Sequence, residues 1–310
     1  MRKIIYIITA LLLFINNDEA QAQQDPQYSQ YMFNTLAVNP AYAGSRNVFG
    51  ITGLVRMQWV GIDGAPQTQS VTVDAPINKE KMGLGLSFYR DKLGMEKRTS
   101  ILMPFSYRLM LKKGVLSFGI QAGMMNYSIG NTTNLHDNLI SPDAAFASGV
   151  SKWQPNVGAG IYYTDDKWYI GASLPKLLNY SYKGSGLGKN GEGMRNHAFL
   201  MAGFIMNLSD NIKLKPSTVV KYVKGAPIQA DINANVWFND KFSVGASYRT
   251  GDCVLAMFEL QLNEQLRLGY AFDYTLTGLA KAKSFAYTHE LMLRYELGYR
   301  SKKIVTPRYF

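Results

Sequence analysis

The stretch "IQADINANVWF", Ile228–Phe238, decides the fold. Ile228, Ala230, Ile232, Ala234, Val236 and Phe238 are apolar, while Gln229, Asp231, Asn233 and Asn235 between them are polar, up to Trp237. Successive side chains of an extended chain point to opposite faces, so a period of two builds a strand with one apolar and one polar face. The same rule runs outward in both directions. Phe242, Val244, Ala246 and Tyr248 alternate with Ser243, Gly245, Ser247 and Arg249. Leu268, Tyr270, Phe272, Tyr274 and Leu276 alternate with Arg267, Gly269, Ala271, Asp273 and Thr275. Shorter runs are Leu84, Leu86 and Phe88 among Gly83, Gly85 and Ser87, and Leu116, Phe118, Ile120 and Ala122 among Ser117, Gly119 and Gln121.

A soluble sandwich would alternate too, but two features point elsewhere. The segments approach the ~9–11 residues that a tilted strand needs to cross a bilayer, against ~5–6 in a globular strand. Their connections also sort by parity. Fourteen strands are expected, near 48–59, 67–75, 82–91, 98–110, 114–126, 155–164, 167–174, 196–208, 211–222, 227–238, 241–250, 253–262, 265–276 and 285–298. Connections after even-numbered strands are short, the longest being Pro76–Lys81. Two of those after odd-numbered strands are long, Tyr127–Gln154 with 28 residues and Pro175–Arg195 with 21, although Gly251-Asp252 is short. An even strand count with short turns at one end and long loops at the other is the arrangement of an outer-membrane barrel. The expected fold is therefore an all-β, transmembrane, antiparallel β-barrel over residues 47–298. On the porin pattern its long loops lie outside and both termini, including a tail at 299–310, lie in the periplasm.

Composition agrees. Apolar residues reach 47% and aromatics 13%, with 20 Tyr and 15 Phe. Cys253 is the single cysteine, so no internal disulfide is possible. The first 22 residues read as a secretory signal peptide: Arg2 and Lys3, an apolar core from Ile4 to Ile15, and the small-x-small cleavage form Ala20-Gln21-Ala22. The net charge of +11 survives its removal, because Arg2 and Lys3 cancel Asp18 and Glu19. In an exported chain a basic surface points to lipopolysaccharide or an acidic protein, or is a plain solvated surface, rather than to nucleic acid.

The expected polar register carries charges of both signs: Arg56, Asp231, Arg249, Glu259, Arg267, Asp273, Glu290, Arg294 and Glu296. Fourteen strands enclose more room than their own side chains fill. The segment 23–46 is the candidate filler, a lumen plug. It precedes the first strand, has no period of its own, and holds Tyr28, Tyr31, Phe33 and Tyr42 together with the turn pair Asn39-Pro40. A second candidate site is the connection after the first strand, where Trp59, Gly61, Ile62, Gly64 and Pro66 make a short apolar turn suited to a partner or to the barrel mouth.

Catalytic signatures are missing. The three histidines, His136, His197 and His289, have no HExxH, CxxC or paired-ligand spacing, so no metal or cofactor is expected. No Ser-His-Asp constellation suggests an enzyme.

Four blocks in order, "QDPQYSQYMFNTLAVNPAYAGSRN" (Gln24–Asn47), "RMQWVGIDGAPQTQSVTVDAPI" (Arg56–Ile77), "THELMLRYEL" (Thr288–Leu297) and "TPRYF" (Thr306–Phe310), resemble the PorP/SprF family of the Bacteroidota. That resemblance implies an outer-membrane protein of the type IX secretion system and gliding machinery, needed for secretion or surface attachment of cargo. The implied partners are other secretion components, periplasmic or outer-membrane lipoproteins, and the C-terminal domains of cargo. A weaker likeness, through Asn39-Pro40-Ala41, is to long-chain fatty-acid transporters with an N-terminal hatch. Two readings follow: a non-enzymatic secretion or attachment barrel, or a transporter or channel for small or hydrophobic solutes.

Overall fold

A computed structural model describes residues 28–130, 150–181, 193–194, 196–278 and 287–297. The barrel strands are β1 (Phe49–Val60), β2 (Gln67–Ile77), β3 (Met82–Leu93), β4 (Glu96–Leu111), β5 (Gly114–Ile129), β6 (Val150–Thr164) and β7 (Trp168–Leu174). They continue as β8 (His197–Phe204, resumed at Met206–Asn207), β9 (Ile212–Val223), β10 (Gln229–Phe238), β11 (Phe242–Arg249), β12 (Cys253–Gln261), β13 (Leu266–Thr275) and β14 (Tyr287–Leu297). Each pairs antiparallel with its neighbours in sequence, and β14 pairs with β1, so a fourteen-stranded sheet closes on itself with no free edge.

Alternation sets the register. On β10, Ile232 is 60% exposed, while Asp231, Asn233 and Asn235 are buried. The polar face therefore points into the lumen and the apolar face out, the reverse of a soluble protein and the arrangement that a bilayer demands. Aromatic residues collect near both strand ends, the girdle pattern of membrane barrels. At the end of the even-numbered connections Tyr163 lies 4.7 Å from Trp168 and Phe238 stacks 4.9 Å from Phe242. Tyr222, Tyr248 and Tyr274 are exposed at the other end. Trp237 sits on the inward register, buried, with the Arg267 guanidinium 5.0 Å from its ring.

Several strand boundaries differ from the sequence reading. β5 and β6 extend beyond the expected ends, pairing out to Ile129 and Val150, which shortens the long connection between them. β4 begins at Glu96, so only Gly94-Met95 joins it to β3, a second short odd-numbered connection. Val60 belongs to β1, and Trp59 occupies a bulge with φ 52°. The Asn239-Asp240 turn has both residues at positive φ (51° and 56°), as a tight two-residue hairpin needs.

Candidate functional site

The candidate site is the inward face of the barrel, and among the described residues the segment 28–46 packs against it. Two short 3₁₀ turns, Thr35–Ala37 and Pro40–Tyr42, give it what regularity it has. Tyr31, Phe33, Leu36, Ala41, Tyr42 and Ala43 are all buried, in one cluster with inward side chains from β1, β6, β7, β8, β9, β10, β12, β13 and β14. Glycine on the facing strands makes the approach possible. A Cβ on Gly119 would lie 2.1 Å from the Ala41 nitrogen, and one on Gly83 would lie 2.0 Å from the Ala43 carbonyl oxygen. Inward glycine in a strand marks a place where another backbone comes close.

Polar contacts lock this segment at both ends. The Glu290 carboxylate accepts from the Ser29 and Gln30 amides, each at 2.8 Å. Arg56 bridges Glu290 (3.2 Å) and Asp273 (2.7 Å), and Ser29 Oγ donates to Asp273 at 2.7 Å. Arg249, held by Asp231 at 2.7 Å, donates to the Tyr28 carbonyl at 3.3 Å. At the other end Arg46 pairs with Glu296 at 2.7 Å and donates to the Phe33 carbonyl, and the Gly44 amide donates to Asp74 at 2.7 Å. Burial acts against the Arg46 charge, but Tyr42, Glu296 and Asp74 around it raise its pKa overall. Burial pushes the Tyr28 and Tyr31 phenols up, so both remain neutral hydrogen-bonding groups. Between the ends, Ser106 and Ser173 donate to the carbonyls of Ala43 and Val38, both at 2.7 Å, and Thr72 donates to Asn34 at 2.9 Å.

Each expected site residue has a definite place. Tyr31 receives a hydrogen bond from Asn233, and Lys215 lies 5.7 Å from the Phe33 ring centroid. Asn39 caps the second 3₁₀ turn through the Ala41 amide at 3.0 Å and donates across to the Ile161 carbonyl at 3.1 Å, with Pro40 the first residue of that turn. The second set lies apart, at the end of the odd-numbered connections. Trp59 and Ile62 are half-buried, and the Trp59 amide donates to Thr288 Oγ1 at 3.3 Å. Gly61 (φ 95°) and Gly64 (φ 75°) use conformations open to glycine. The Gly64 carbonyl accepts from Gly94 at 2.7 Å and the Pro66 carbonyl from Gln58 at 2.9 Å. The Ser29, Gln30 and Glu290 contacts were not foreseen from sequence, although the inward Gly119 is a strand position that signals an approaching backbone.

The direction of the segment bears on the termini. Tyr28 lies beside Arg249 and the Tyr89–Asp91 end of β3, near the odd-numbered connections. β1 starts and β14 finishes at the opposite end. The expectation of two periplasmic termini falls on residues 1–27 and 298–310, outside the described residues, as do His136 and most of the two long loops. His289 is on the outward register, with Nδ1 2.7 Å from the Tyr270 hydroxyl. Among the described residues no group of three His, Cys, Asp or Glu is placed to hold a metal ion.

Solved outer-membrane barrels resemble this architecture at low identity. The outer membrane protein Omp33 of Acinetobacter baumannii is 8% identical, with 81% of this chain and 98% of that chain covered and a TM-score of 0.47. The CymD monoaromatic hydrocarbon channel is 12% identical, covers 88% and 94%, and has a TM-score of 0.47. A Pseudomonas aeruginosa FadL homologue is 11% identical, covers 89% and 96%, and has a TM-score of 0.45. No curated protein matches the chain. A family model described as type IX secretion system membrane protein PorP/SprF matches residues 20–295, nearly the whole barrel and the segment that enters it, and the chain belongs to that family.

Proposed function

We propose that this chain is a closed, non-enzymatic outer-membrane barrel of the type IX secretion system that supports secretion or surface attachment of cargo through protein contacts. In this reading the even-numbered turns face the periplasm, the odd-numbered connections face outward, and the segment 23–46 is a plug. The observation that supports it is the burial of the segment 28–46 against inward side chains of the barrel. Among the described residues, two hollows beside the segment hold about 40 Å³ each. The packing of this segment against the barrel interior supports a barrel that acts by its surfaces over a transporter or channel. Family membership implies association with other type IX secretion components; lipoproteins and cargo C-terminal domains are the partners proposed within that reading.

The β1–β2 connection is the proposed contact point, because Trp59 and Ile62 present apolar surface on a turn fixed by Gly64–Gly94. Changing Trp59 and Ile62 to Ala should lower surface-displayed cargo while barrel abundance in the outer membrane stays constant. Cargo that falls only in step with barrel abundance would make the connection purely structural.

A further inference from the structure

The outer wall carries a hollow of about 550 Å³ over β6–β9, lined by Ala159, Gly160, Ile161, Ala172, Ser173, Leu174, Ala198, Phe199, Leu200, Val220 and Tyr222. Its origin is local. Ala159, Ala172 and Ala198 are small side chains at outward positions: Ala172 lies between Ile161 and Leu200 in one cross-strand row, while Ala159 faces Leu174 and Ala198 faces Tyr222. Gly160, Ser173 and Phe199 form one cross-strand row of the inward register and also line this hollow, as backbone of a one-layer sheet can. Asn39 closes it from within, since a Cβ on Gly160 would meet Asn39 Oδ1 at 2.2 Å. Past Leu174 the chain turns inward, the Pro175 carbonyl accepting from Gln121 (2.7 Å) and Asn156 (3.0 Å).

The hollow lies between the two aromatic girdles, in the half of the membrane band nearer the odd-numbered connections. Toward that end, outward positions on β9 and just beyond it run half-buried Val220, then exposed Tyr222 and Lys224, from apolar through amphipathic to cationic. Acyl chains are the surrounding solvent, and the volume suits a ligand in the ~300–1,000 Å³ class. We propose that the hollow seats one acyl chain of an anionic, phosphate-bearing membrane lipid, with the headgroup phosphate at Lys224 and the glycerol region against Tyr222. A long lysine side chain reaching the headgroup level fits this geometry, and cationic residues near the surface select anionic lipid.

The test uses the full chain in nanodiscs containing phosphatidylglycerol and phosphatidylcholine, with native mass spectrometry after collisional removal of bulk lipid. One phosphatidylglycerol should remain bound to the unmodified protein. Ala172→Leu with Ala198→Leu fills the hollow and should reduce retention roughly tenfold or more, the effect of losing contact with about two methylenes. Ala256→Leu, an outward alanine on β12 remote from the hollow, should retain the lipid. Lys224→Glu lies outside the strands and should abolish the preference for phosphatidylglycerol, a readout that stands even if the filled barrel folds poorly. Equal retention in the filled variant, equal loss in Ala256→Leu, or no preference for the anionic lipid in the unmodified protein would each overturn the assignment.

Discussion

Replacing Glu290 with Ala should release the start of the lumen segment without opening the barrel wall. In the native protein that carboxylate is fully buried, accepts from the Ser29 and Gln30 amides at 2.8 Å each, and sits 3.2 Å from Arg56. Arg56 keeps Asp273 at 2.7 Å after the substitution, so one ion pair survives. The two amides lose their acceptor in a buried site. Each hydrogen bond to a charged group contributes about 1.5–3 kcal/mol, and breaking a buried pair from one side costs about 3–5 kcal/mol. At 1.4 kcal/mol per tenfold, local opening of the segment should increase by roughly two to four decades. Hydrogen exchange read on a peptide spanning Tyr28–Asn34 would report this directly, with a β12 or β13 peptide as the internal reference. Glu290→Gln keeps an acceptor but loses the charge, so it should fall between the two. Unchanged exchange at Ser29 and Gln30 in a correctly folded Glu290→Ala barrel would refute the claim that this carboxylate holds the segment.

Cysteine labelling on intact cells, in a Cys253→Ser background, should modify a cysteine at Asp63 in the β1–β2 connection and spare one at Lys112 in the β4–β5 turn; the reverse pattern would invert the proposed orientation. Ile232→Arg places a charge on the acyl-chain face and should destabilise the barrel by roughly 2–4 kcal/mol near the midplane, read as lost heat-modifiability on gels, whereas Asn233→Arg should leave the outer wall intact and disturb Tyr31 instead.

Much of this fold is legible in the sequence because the bilayer enforces alternation. Where a strand crosses lipid, each outward side chain must be apolar, and β10, β11 and β13 show it without a gap. The signal fades where strands rise past the membrane. Ser128 opposes Ser151 and Tyr127 opposes Lys152 in a regular ladder, yet nothing there requires outward side chains to be apolar, so the ends of β5 and β6 looked like loop. The inward charges were readable by parity, but parity does not say what a charge will meet. Glu290 could have paired only with other wall residues; that it takes backbone amides of Ser29 and Gln30 depends on how an aperiodic segment folds inside the lumen. Gly119, Gly83 and Gly160 held the missing hint, being inward strand positions with no side chain to fill space. The lateral hollow is less legible still, because it arises from alanines on adjacent strands that are far apart in sequence.

The account rests on a lumen closed by its own N-terminal segment, and planar-bilayer conductance tests that most directly. The full chain should insert and stay closed. A variant lacking residues 23–46 but keeping residues 1–22 should conduct, as should Gly119→Ala, whose new Cβ would displace the backbone at Ala41. A steady open conductance from the full chain, or a stable deletion variant that stays closed, would contradict it.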